Sequence, residues 1–90
     1  MTAKATVEIV NERGLHARAS AKFVKLASDF DAEVRVSRDG ATVDARSIMG
    51  LMMLAAGVGS EVEIEAEGPQ AREAVDALTA LITNRFDEDR

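Results

Sequence analysis

A chain of 90 residues makes one small domain, 1–90. With no cysteine and only three aromatic residues, its core must be aliphatic and held without disulfides or thiolate-bound metal. Its 16 acidic against 11 basic residues give a formal net charge of -5, which excludes the basic footprint of a nucleic-acid binder, and no apolar run is long enough to span a bilayer.

Met1 to Lys4 leads straight into strand-like sequence rather than a signal peptide, so cytoplasmic residence without membrane insertion is expected. Ala5 to Val10 alternates small or apolar residues with polar ones, the period of a strand with one buried face, and places Ala5, Val7 and Ile9 inward. Asn11 to Gly14 reads as a loop. From Ala17 to Ala27 the apolar residues switch to helical spacing, with Ala19, Phe23, Leu26 and Ala27 near one face. Ser28 to Asp31 stops that helix, and Ala32 to Ser37 alternates again. The Asp39-Gly40 pair predicts a hairpin, because both positions take positive φ cheaply, with a returning strand over Ala41 to Asp44. Ser47 is a good N-cap for a short apolar helix from Ile48 to Leu54, which Gly57 and Gly59 close.

Glu61 to Glu67 is the cleanest alternation. Val62, Ile64 and Ala66 share one face and four glutamates the other, a pattern that fits only a sheet with one side wet. Gly68 breaks the strand, Pro69 suits the first turn of a last helix running to about Arg85, and Asp87 to Arg90 is expected to fray. The order βαββαβα, with three apolar helix stripes to hide, predicts an α+β open-faced sandwich: a four-stranded antiparallel sheet covered on one face by three helices.

The chemistry centres on Gly14-Leu15-His16-Ala17-Arg18-Ala19-Ser20. His16 is the only histidine, and it stands where strand-like sequence gives way to a helix. The first amides of a helix have no partner within it and the peptide dipoles leave partial positive charge there, so a phosphate meets donors already aimed at it. A neutral imidazole, which a helix start favours, is nucleophilic near neutral pH and still a competent leaving group, so it can carry a phosphoryl group. Arg18 can clamp the oxygens through its planar fork of donors. A lone histidine can equally be a surface residue or a stand-in cap, and spacing alone leaves those readings open. Arg13, Arg18, Lys22 and Lys25 make the local field positive although the chain is acidic.

Ser20, Lys22 and Lys25 belong on the solvated side of this helix, with Ser20 in reach of a docked partner. The helix after Ser47 carries more apolar residues than one side can bury. Leu51 and Leu54 are expected in the core, while Ile48, Met49 and Met52 face a partner, flexible methionines suiting a surface that must fit several. There is no second base, metal constellation or nucleotide-binding glycine loop, so no enzyme, cofactor or metal is expected.

Two motifs, Gly14-Leu15-His16-Ala17-Arg18 and Arg46-Ser47-Ile48-Met49-Gly50-Leu51-Met52, with the acidic strand and Gly68 before the last helix, resemble the HPr family. These are histidine phosphocarrier proteins of the phosphoenolpyruvate-dependent phosphotransferase system. The resemblance covers essentially the whole chain. It implies a stoichiometric carrier rather than an enzyme: His16 takes a phosphoryl group on Nδ1 from phospho-enzyme I and passes it to a IIA protein, with Arg18 holding the oxygens. Ser47 matches the serine that HPr kinase/phosphorylase modifies in some bacteria. Ala19 replaces the proline of many members; it loses a rigid first-turn residue but keeps a helix former and adds an N–H. Asn84 to Asp89 resembles the nitrogen-related branch, which implies the alternative role of a regulatory module whose phosphorylation state controls partner proteins. A surface for transient docking suits a monomer.

Overall fold

The computed structural model describes all 90 residues. Alternation in Thr2–Glu8 (β1), Glu33–Arg38 (β2), Ala41–Asp44 (β3) and Glu61–Glu67 (β4) builds one antiparallel sheet in the order β1-β4-β2-β3. Helical spacing builds Ala17–Ala27 (α1), Ile48–Met53 (α2) and Ala71–Thr83 (α3). The fold is the expected open-faced sandwich. One sheet face buries Ala3, Val7, Val34, Val36, Val62, Ile64 and Ala66 in a single cluster with the apolar stripes of the helices.

The other face stays wet, which explains how β4 tolerates its glutamates. Lys4 lies 3.8 Å from Glu63 and 3.9 Å from Glu65, and Arg35 lies 3.3 Å from Glu65 and 3.8 Å from Glu67. Exposed pairs of this kind contribute about 0–1 kcal/mol each, so they chiefly relieve repulsion between like charges. The hairpin forms as expected, with Asp39 at φ 51° and Gly40 at φ 85°.

Several boundaries move. β1 begins at Thr2 rather than Ala5, because Ala3 and Lys4 continue the alternation and pair with Ala66 and Glu65. α2 stops at Met53 with Leu54 as its C-cap, and Ala55 rather than a glycine takes the left-handed conformation (φ 53°) that follows it. Gln70 caps α3, so Pro69 precedes the cap instead of entering the first turn, and the helix stops at Thr83.

The largest departure is the tail, which folds instead of fraying. Arg85–Asp87 makes a short 3-10 turn that buries Phe86 completely, and the Glu12 amide donates to the Arg90 carbonyl at 3.1 Å. The string of charges hid one aromatic anchor.

Candidate functional site

A tight turn and a close approach place the histidine. The Gly14 amide donates to Asn11 O (3.2 Å) and the Leu15 amide to Ala56 O (3.0 Å), tying this loop to the one after α2. Gly14 is at φ +65°, and a Cβ there would stand 2.5 Å from Ala56 O, so the loop needs a glycine on both counts. Leu15 turns into the core, and His16 becomes the N-cap of α1 in extended conformation, its carbonyl accepting from Ser20 N at 2.9 Å.

The ring of His16 does not cap the helix. Its Nε2 lies 2.5 Å from Glu88 Oε2, a contact across 72 residues of chain that leaves the side chain 15% exposed. Asn11, fully buried, donates from Nδ2 both to Gly14 O (2.9 Å) and to Glu88 Oε1 (3.2 Å). Burial pushes the Glu88 carboxyl up, but hydrogen bonds from His16 and Asn11 and the charges of His16 and Arg13 outweigh that and hold it below the ordinary carboxylate range.

Arg18 is exposed beside this contact and takes part in none of the chain's ion pairs. With Arg13, Lys22 and Arg90 it lines a shallow depression, built only from charged residues, whose other wall is the tail carboxylates and Glu12. A free guanidinium beside a helix start can receive the oxygens of a phosphoryl group. Lys22 is committed elsewhere, its Nζ donating to Phe86 O at 2.7 Å.

Ser20 corrects an expectation. It is fully buried, its hydroxyl donating to Leu15 O at 3.3 Å, so it stiffens the turn beneath His16 and offers nothing to a docked partner. Sequence periodicity also missed Asn11 and Glu88, since a loop asparagine and a tail glutamate look solvated until the fold brings them to the ring.

Ser47 caps α2, its Oγ accepting from Gly50 N at 2.9 Å. Leu51 and Leu54 enter the core, while Ile48, Met49 and Met52 are exposed, joined by Met53 and Val58. α2 packs beside α1, so an apolar patch adjoins the helix that carries His16 and Arg18.

A sole histidine at a helix start, two residues before an arginine that makes no ion pair, is an arrangement suited to holding and passing on a phosphoryl group. The family model described as the PTS HPr component phosphorylation site matches residues 3–84. Phosphocarrier protein HPr of Cupriavidus necator is 61% identical over 80 residues, which span 89% of this chain and 90% of that one. Phosphocarrier protein NPr of Escherichia coli K12 is 47% identical over 90 residues, 99% of this chain and 100% of that one. The crystal structure of HPr-C-His from Thermoanaerobacter tengcongensis superposes with a TM-score of 0.93 at 43% identity, covering 98% and 99% of the two chains. The chain belongs to the HPr family of phosphotransferase-system phosphocarriers.

Proposed function

We propose that His16 is the residue that carries the phosphoryl group, that phospho-enzyme I supplies it and that a IIA-type protein takes it, in the cytoplasm and with the carrier as a monomer. The observation that supports this most is the placing of the only histidine at the N-terminus of α1, against Glu88, which lines one depression with the unpaired Arg18. The transferring group brings its own negative charge, so the chain needs only to position it and neutralise it.

Incubation with phosphoenolpyruvate and enzyme I is expected to place one acid-labile phosphoryl group on His16, located by mass spectrometry of the intact phosphopeptide. A phosphoryl group elsewhere, or none, refutes the reading. Arg18→Ala is expected to slow transfer roughly 10–100-fold with an unchanged melting temperature, since hydrogen bonds to charged groups are worth about 1.5–3 kcal/mol.

Ser47 is the proposed regulatory position, modified by an HPr kinase/phosphorylase. Phosphate would add a charge of about -1.5 to -2 at the start of α2, where the free amides accept it, so the fold is kept. A docking partner would have to desolvate that charge next to Ile48, Met49 and Met52. A loss of ~2.8 kcal/mol weakens binding about a hundredfold. Ser47→Asp, which preserves a capping oxygen, is expected to show that loss for enzyme I by titration calorimetry with its thermal melt unmoved; normal affinity would refute the block.

One observation favours a second reading, a regulatory binding module. The match to NPr extends over 99% of the chain and so takes in the tail that closes the site. Which IIA protein accepts the phosphoryl group discriminates the two.

A further inference from the structure

We propose that Glu88 is a positioning residue for phosphoryl transfer: its carboxylate keeps the ring proton of His16 on Nε2, so that Nδ1 presents the lone pair that attacks phosphorus. The proposal rests on the reading of His16 as the acceptor.

A neutral imidazole has one N–H and one lone pair, and what the nitrogens touch decides which is which. An ionised carboxylate only accepts. At 2.5 Å from Glu88 Oε2, Nε2 must be the donor, and the lone pair is left on Nδ1. The carboxylate is itself gripped, since Asn11 Nδ2 holds its second oxygen at 3.2 Å while bonding Gly14 O at 2.9 Å. Turn, amide, carboxylate and ring therefore form one chain of contacts ending on the reactive nitrogen, and the hydrogen bonds from the ring and from Asn11, with the charge of Arg13, favour the ionised form of Glu88.

The backbone that aims Glu88 is strained. Arg85, Phe86 and Asp87 lie at φ 58°, 54° and 64°, three consecutive left-handed residues without a glycine among them. Such a run persists only where its surroundings over-determine it. Here Phe86 is fully buried, Lys22 donates to its carbonyl, Asn84 Nδ2 donates to Asp87 Oδ1 at 2.8 Å and the Glu88 amide donates to Arg85 O at 2.9 Å. What the strained turn achieves is the placing of one carboxylate against one ring.

In the transfer step the Nδ1 lone pair forms the N–P bond as the donor's bond to phosphorus breaks, and that bond's electron pair leaves with the donor. No proton has to move. The Nε2 proton stays, the ring becomes cationic, and Glu88 faces the new charge directly.

Nitrogen-15 NMR of the imidazole and single-turnover phosphorylation by enzyme I test this. The unmodified carrier is expected to hold the Nε2–H tautomer and to be phosphorylated on Nδ1. Glu88→Ala is expected to shift the tautomers toward a free-histidine mixture and slow phosphorylation about tenfold, the effect of losing one charged hydrogen bond, with its melting temperature nearly unchanged. Glu88→Gln, whose amide oxygen still accepts from Nε2, is expected to restore the tautomer but only part of the rate. An Nε2-linked phosphoryl group overturns the proposal. So does a Glu88→Ala variant with unaltered tautomer and rate, or one phosphorylated faster, which would make the tail a plug. If the unmodified chain takes no phosphoryl group on His16, it is the underlying assignment of the acceptor that fails instead.

Discussion

Replacing Phe86 by alanine is expected to cost about 3–5 kcal/mol of stability, the range for truncating a buried phenylalanine, and to release the tail from His16. Phe86 is fully buried and sits in the middle of three left-handed residues. Each such residue costs roughly 1–2 kcal/mol relative to ordinary backbone, so the turn depends on its aromatic anchor. Once the anchor is gone, relaxation of the backbone favours an extended tail, and Glu88 and Asn11 lose each other. The variant is expected to combine a lower melting temperature with rapid amide exchange over residues 85–90 and with the slowed phosphorylation of Glu88→Ala. A loss of stability below about 1 kcal/mol would show that the burial does not hold the turn.

Gly14→Ala is the second large effect, with an expected loss of about 2–4 kcal/mol from positive φ and backbone overlap together. The new Cβ would meet Ala56 O at 2.5 Å and Gly57 Cα at 2.9 Å. Both are backbone atoms, which cannot rotate away as a side chain would. Relief requires the two loops to part, breaking the Leu15–Ala56 hydrogen bond and carrying His16 away from Glu88. Gly57→Ala is the control. Nothing lies within 4 Å of its Cβ position, so it is expected to stay within about 0.5 kcal/mol of the parent. Equal melting temperatures for the two variants would refute the account.

The contrast between these positions marks what was legible in the sequence. Strand β4, the Asp39-Gly40 hairpin, the Ser47 cap and the division of α2 into buried leucines and exposed methionines follow from period and local turn chemistry, which act over a few residues. His16 at the head of α1 was legible for the same reason. Ser20 was misplaced because a hydroxyl can be buried once it finds a carbonyl, here Leu15 O, and periodicity counts apolar atoms rather than satisfied polar ones. Glu88 was invisible because its partners, His16 and Asn11, lie far along the chain, and Asn11 because only the distant carboxylate, not its local bond to Gly14 O, ties it to the ring. The tail was misjudged because five of the last six residues, from Arg85 on, are charged, and one phenylalanine among them decides its fate.

The strand order has a consequence for how the molecule comes into being. β2 and β3 are joined by a two-residue turn and meet as soon as both are made, whereas β1, at the sheet edge, has β4 as its sole neighbour, with Thr2 opposite Glu67. Closing that long loop is the entropically expensive step of folding. A growing polypeptide therefore leaves the ribosome with its first strand unmated, and the moment when residues 61–67 emerge sets the earliest time at which the sandwich can shut.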